Sequence, residues 1–283
     1  MQTHYLQNQS PPGEYLKLGV ALSGGGFRGV AHVGALKAFK HAGIEIDMIT
    51  GTSAGALIAA LFAFGVPFEK MLNQSKEFRW MSRSSLNFSK SGLLSNKVVG
   101  KVILNHIGNV NIEDAPIPLA IVATDIKTGE KVVLRQGNLE KAVMASSCIP
   151  GVFEPVAFDG RLLVDGCLVE NLPVTPLRKM GADIVVGVNL NHGSYREPAS
   201  MFDVFLNAWE ISIDAITKSI KKNVDILIVP NFSTHSEKDS RCVQKLAKAG
   251  YTAACKAILE IHKSIKMKRV NHLNNSLFKL QTG

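Results

Sequence analysis

Apolar residues gather along this chain in short blocks that alternate between two rhythms. Residues 17–22 (KLGVAL) form a nearly unbroken apolar run, which predicts a strand. Residues 28–41 follow, with Val30, Val33, Leu36, Ala38 and Phe39 tending to one side and Gly43 as a stop, which predicts a helix. A second short strand is expected at 46–50 and an apolar helix at 54–64, closed by Gly65 and Pro67. Strand, helix, strand, helix in the first 65 residues predicts a parallel sheet with helices on both faces. Farther along, 118–125 and 131–135 flank Thr128-Gly129 as a hairpin. Helices are expected at 139–146, 174–180, 201–220 and 240–265, the last despite Gly250, with strands at 161–164, 183–190 and 224–229. The expected fold class is α/β, a three-layer α/β/α arrangement with a mainly parallel central sheet.

Residues 69–111 break this rhythm. They are rich in Ser, Lys and Asn yet carry Phe78, Trp80, Met81, Leu86, Phe88, Leu93 and Leu94, so a partly helical lid or cap is expected there. The domain reading is a polar segment over 1–16, a single catalytic domain over 17–266 and a basic tail over 267–283. A chain of 283 residues has ample length for one buried core.

Composition narrows the function classes. The most apolar stretch, 54–64, falls well short of the ~20 residues of a membrane span, and the polar start of the chain lacks a signal-peptide pattern. Cys148, Cys167, Cys242 and Cys255 form neither a C-x-x-C pair nor a metal-ligand spacing with the histidines, so a reducing, cytoplasmic setting without a metal is expected. The net charge is +9. Basic residues concentrate at 76–101 and from 263 onward, which suits reversible contact with an anionic membrane surface. No aromatic-interleaved basic motif or zinc spacing supports nucleic-acid binding. Oligomeric state is open at this level.

Two glycine motifs carry the chemistry. LSGGGFRG (22–29) contains Gly24-x-Gly26-x-x-Gly29, which fits a dinucleotide-binding turn between strand and helix. Such a site needs an acid at the end of strand two, and the nearest acid, Asp47, stands at its start. At the end of that strand the chain reads Gly51-Thr52-Ser53-Ala54-Gly55, a G-x-S-x-G elbow that exposes a serine at a helix N-terminus. In a parallel sheet both turns share one edge, so the Gly24–Gly29 loop can aim N–H donors at an oxyanion bonded to Ser53, with Arg28 adding positive charge. An alcohol nucleophile needs a base. His192, after strand 183–190, and Asp165, at the end of an apolar strand in RLLVDGCLVENLP, are the two candidates.

The residues Gly24-Gly25-Gly26-Phe27-Arg28-Gly29, Gly51-Thr52-Ser53-Ala54-Gly55, and Asp165-Gly166 with Asn171 and Pro173 downstream resemble the patatin-like phospholipases. The block ASSCIPGVFEPV (145–156) is similar to the one preceding the family aspartate. The resemblance runs from about 18 to 190. It implies a fold related to the cytosolic phospholipase A2 catalytic domain and a lipid ester substrate. It also implies a Ser53–Asp165 dyad without histidine, an oxyanion hole in the Gly24–Gly29 loop including Arg28, and no cofactor. The sequence departs from the family where Cys167 follows Asp165-Gly166 in place of Gly or Ala. Two other readings stand beside this one: a Ser–His acyltransferase or thioesterase using His192, and a non-catalytic lipid- or partner-binding module.

Overall fold

A computed structural model describes residues 16–75, 96–191, 197–220, 223–232 and 242–281. Its elements run β1 (Leu18–Leu22), α1 (Val30–His41), β2 (Met48–Thr52), α2 (Ala54–Ala63), α3 (Lys97–His106), β3 (Leu119–Asp125), β4 (Lys131–Leu134) and α4 (Leu139–Ser146). They continue β5 (Val156–Phe158), β6 (Arg161–Asp165), α5 (Cys167–Glu170), α6 (Val174–Lys179), β7 (Ile184–Val188), α7 (Met201–Ile220), β8 (Ile226–Ile228) and α8 (Cys242–Gln281). Short 3-10 turns at Gly26–Gly29 and Ile112–Asp114 and a helical stretch at 68–75 complete the order.

One eight-stranded sheet organises the chain. Strands β3, β2, β1, β7 and β8 are parallel neighbours, as the alternation of strands and helices predicts. Strands β4, β5 and β6 pair antiparallel. The β5–β6 turn places Asp159 and Gly160 both at positive φ, the conformation a two-residue hairpin of right-handed twist requires.

The parallel strands β1, β2, β3 and β7 are buried at every position, and β1 and β7 carry no polar side chain, because both faces of the sheet are covered. Leu18, Val20 and Leu22 of β1 and Ile184, Val186 and Val188 of β7 join the larger core, shared with α1, α2, α4 and α8. The alternate positions, Ala21 and Val185, meet α6 in a smaller core with Leu172, Val174 and Leu177. The sheet is thus the middle of three layers.

Two differences from the sequence expectation have physical causes. Strand β2 begins two residues later and extends through Thr52, because Gly51 still pairs with Leu22 and Thr52 with Val122. The closing helix continues through Gln281, so the described part of the basic tail is helical. Gly250 is explained as well: a Cβ there would collide with the Ala31 carbonyl oxygen, and one at Gly34 with that of Ala247. Helices α1 and α8 cross backbone to backbone at these two glycines.

Of the expected lid at 69–111, residues 76–95 lie outside the described residues. On either side of them the chain is helical, with Met71, Val99 and Val102 buried.

Candidate active site

The site is assembled by how strands share the edges of β3. Val122 pairs with Thr52 of β2 on one edge and with Val133 of β4 on the other. Ala123, the next residue, pairs with Val132 of β4 and with Asp165 of β6. Because β4 holds one edge at both of these positions, β2 and β6 must lie end to end along the other. The carboxyl ends of β2 and β6 therefore meet head-on, and residues 112 apart in sequence come together: Ser53 Oγ donates to Asp165 Oδ2 at 2.8 Å.

Ser53 stands at φ 54°, ψ −122°, one of two non-glycine residues at positive φ among those described. Its backbone sits in a sharp elbow ahead of α2, and the flanking glycines make that elbow sterically feasible. A Cβ on Gly55 would strike the Leu22 carbonyl oxygen, and one on Gly51 would strike the Gly55 carbonyl oxygen. Ala54, the first residue of α2, packs against Gly29. Ser146 locks the elbow from beneath: its Oγ accepts from Ser53 N (2.8 Å) and donates to the Val122 carbonyl (2.6 Å). Ser146 was not singled out by the motifs; its only sequence signal is its place in the block 145–156. Thr52 Oγ1 anchors the other side on the Glu170 carbonyl at 2.9 Å.

Asp165 is 1% exposed. Burial pushes its carboxyl up from 3.8 to about 6, against the hydrogen bonds from the Cys167 N–H and the Ser53 hydroxyl that favour the charged form. The Cys167 N–H donates to Asp165 Oδ1 at 2.9 Å, an anchor made possible by the turn at Gly166. Cys167 fits the position that departs from the family pattern: its Sγ donates to Asn171 Oδ1 at 3.1 Å. Burial and the neighbouring carboxylate hold that thiol in its neutral form.

The glycine loop lies beside the elbow, as two turns on one sheet edge require. Gly24 N donates to the Asn171 carbonyl, and a side chain at Gly24 would meet Cys167, Asn171 and Ser53. Ser23 fastens the loop to β7, its Oγ accepting from Leu190 N and donating to the Gly24 carbonyl. Gly25 and Gly26 take positive φ and lead into the 3-10 turn. Among the described residues the N–H groups of Gly25 and Gly26 find no acceptor, as expected for the first donors of a helical turn. Arg28, expected to add positive charge to this loop, pairs its Nη2 with Glu210 Oε1 of α7 at 2.7 Å. It latches the loop to that helix.

Two cavities meet at Ser53. One, of about 280 Å³, is walled by apolar side chains of α1, α2, α3 and the 68–75 stretch, with Val30, Leu57, Leu61, Met71 and Val102 among them. The other, of about 320 Å³, is more polar and is bounded by Arg28, Asp165, Asn191, Asn207 and Glu210. The alternative base His192 lies outside the described residues. Among the described residues no group of three or more His, Cys, Asp or Glu is arranged to hold a metal ion.

A strained serine elbow, a buried carboxylate in hydrogen-bond contact with it, and a glycine turn alongside, set on a mainly parallel sheet, define the α/β proteins of the patatin type. The description "Patatin-like phospholipase" matches residues 20–178, and the chain belongs to that family. An NTE family protein of Mycobacterium tuberculosis is 37% identical over 188 residues, 65% of this chain and 51% of that protein. Lysophospholipase NTE1 of Mycosarcoma maydis is 31% identical over 212 residues, 71% of this chain and 11% of that protein. The chain thus spans about half the length, or far less, of these relatives. Two solved structures share the fold. VipD from Legionella pneumophila has a TM-score of 0.52 at 17% identity, covering 87% of this chain and 67% of that one. The human GIVD cytosolic phospholipase A2 has a TM-score of 0.50 at 11% identity, covering 94% and 61%.

Proposed function

We propose that this protein is a serine lipid acyl hydrolase of the phospholipase or lysophospholipase type, working through a Ser53–Asp165 dyad. The observation that carries the reading is the 2.8 Å hydrogen bond from Ser53 Oγ to a fully buried carboxylate, at the junction of an apolar and a polar cavity. The names borne by the family and by the NTE1 relative point to the same substrate class.

In this reaction the acyl chain lies in the apolar cavity and the leaving group in the polar one. Asp165 accepts the Ser53 proton as Oγ attacks the ester carbonyl carbon. The N–H groups of Gly25 and Gly26 receive the carbonyl oxygen as it becomes an oxyanion, the point at which preorganised donors matter most. Collapse of the tetrahedral species breaks the ester bond, and Asp165 returns the proton to the departing alcohol. Water, giving its proton to Asp165, then attacks the acyl-serine, and Ser53 leaves with that proton as the fatty acid is released. A carboxyl titrating near 6 suits both halves of this proton shuttle better than an ordinary aspartate does.

Hydrolysis of a panel of lysophospholipids, phospholipids and neutral lipid esters, followed by mass spectrometry, tests the reading. Wild type is expected to release fatty acid, Ser53→Ala and Asp165→Ala to lose at least ~10³-fold in rate, and His192→Ala to stay near wild type. Loss of activity in His192→Ala with retention in Asp165→Ala assigns the base to the histidine instead. Failure of a fluorophosphonate to label Ser53 leaves the non-catalytic module as the reading.

A further inference from the structure

Helix α7 turns two faces in opposite directions. Its inner face, through Asn207, Trp209, Glu210 and Ile213, borders the polar cavity at Ser53. Its outer face presents Met201, Val204, Phe205, Ala208, Ile211 and Ala215, all exposed and spaced at i, i+3, i+4, i+7, i+10 and i+14. Met201 is 83% exposed and Ile211 52%. No charged side chain interrupts this stripe. The three acids of the helix are turned off it: Glu210 pairs with Arg28, Asp203 caps the helix start through Ser200 and the Ala199 N–H, and Asp214 is half-buried on the side of Asn207 and Glu210.

We infer that the outer face of α7 docks the protein on a lipid bilayer and so sets the mouth of the site against its substrate. The inference rests on the proposed function for its choice of lipid, while the surface itself is read from the helix. A bilayer interface is an environment that takes an apolar helix face of this spacing without a matching groove. A second copy of the chain is a poorer occupant. Fifteen residues at 1.5 Å rise on a helix ~10 Å wide offer roughly 200 Å², against the ~800 Å² per partner of a stable interface.

Position and composition agree with this. Phe205 packs beside Gly151, at the tip of the turn whose Ile149 and Phe153 line the apolar cavity, so the stripe adjoins the cavity mouth. Phe205 also tilts against Trp209 of the inner face at 6.3 Å between ring centres, which ties the stripe to the wall of the polar cavity. Lys218, exposed at the end of the same helix, and the net charge of +9 favour an anionic leaflet.

The test is cosedimentation with vesicles of equal parts phosphatidylcholine and phosphatidylglycerol, comparing wild type with Val204→Glu/Ile211→Glu. Neither residue borders the cavities, so the variant should keep its circular dichroism and its turnover of a soluble short-chain ester. Its vesicle affinity should fall at least ~10-fold. The milder pair Val204→Ser/Ile211→Ser replaces it should the glutamates prevent folding. Vesicle binding equal to wild type in a folded variant overturns the inference. So does a failure of wild type to bind, or a dimer in solution that the glutamates split while vesicle binding is kept. Using Ser53→Ala as a second background separates this result from the chemistry. Vesicle binding sensitive to the glutamates but without hydrolysis in wild type retains the docking face and rejects the enzyme reading.

Discussion

Ser53 and Asp165 face each other where the carboxyl ends of β2 and β6 meet along one edge of β3, and the aspartate is fully enclosed there. Enclosure gives it a pKa of about 6 instead of 3.8. A base with that value must be deprotonated to act, so kcat/KM on a soluble ester should rise with pH through about 6 and then level off. A pH–rate profile checks this, and an acid limb centred near the ordinary carboxylate value would contradict it.

The same shift has a thermodynamic sign. A folded-state pKa above the unfolded one favours folding while the group is protonated, and that advantage is lost as pH rises through about 6. Asp165 is therefore a liability near neutrality, of the order of 3 kcal/mol from the size of the shift. Asp165→Asn should be inactive yet more stable than wild type by about 1–3 kcal/mol at pH 8, with the gain shrinking toward pH 4. Urea titrations at the two pH values measure it. Equal stabilisation at both would place the effect elsewhere.

His32 produces the opposite slope. It lies fully buried on α1, its Nε2 on the Ser23 carbonyl at 2.8 Å and its Nδ1 without a partner among the described residues. Burial lowers its pKa from 6.5 to about 4. The unfolded chain then binds a proton that the folded one refuses, so stability falls as pH drops from about 6.5 toward 4. In an Asp165→Asn background, which removes the competing slope, acidification from pH 7 to pH 5 should cost about 2 kcal/mol. His32→Gln, able to donate to Ser23 and unable to titrate, should flatten that loss. An unchanged pH dependence in His32→Gln would exclude the histidine as its source.

These particulars show which parts of the molecule the sequence made legible. The parallel strands and the elbow were readable because their signals are local: continuous apolar runs, and glycines on both sides of a serine. The nearness of Ser53 and Asp165 is not local. It depends on β4 occupying one edge of β3, and no feature of the two motifs encodes that pairing. Ser146 and the Arg28–Glu210 pair went unread for the same reason, since each joins elements far apart in the chain. So did the buried Glu170, matched by Lys131 at 2.7 Å. Gly250, read as a flaw in a helix, is instead where α8 touches α1.

That contact yields a test in which propensity and packing disagree. By intrinsic preference, Gly250→Ala should stabilise a helix interior by up to ~1 kcal/mol. The Ala31 carbonyl oxygen stands where the new Cβ would go, and backbone cannot move aside as a flexible side chain can. Gly250→Ala is expected to destabilise by roughly 2 kcal/mol or more, and Gly250→Val by more again. Thermal unfolding of the two variants decides, and a raised midpoint for alanine would mean that α1 and α8 are not in backbone contact.

The elbow itself stores strain, and the choice of residue at position 53 should reveal it. Ser53 holds φ 54° and ψ −122°, a conformation that costs a residue with a Cβ about 1–3 kcal/mol and glycine far less. Ser53→Ala removes the hydroxyl and leaves that cost in place. Ser53→Gly removes both. Each variant should be inactive, since each lacks the nucleophile, but the glycine variant should gain stability from the relaxed elbow. Against that gain stands the larger entropy of an unfolded glycine, worth roughly 0.4–1 kcal/mol. The net expectation is that Ser53→Gly is more stable than Ser53→Ala by about 1 kcal/mol. Ser53 N donates to Ser146 Oγ whichever side chain is present, so the comparison leaves that support intact. Chemical denaturation of the pair at one pH measures the difference, and a glycine variant less stable than the alanine variant would show that the elbow is not strained.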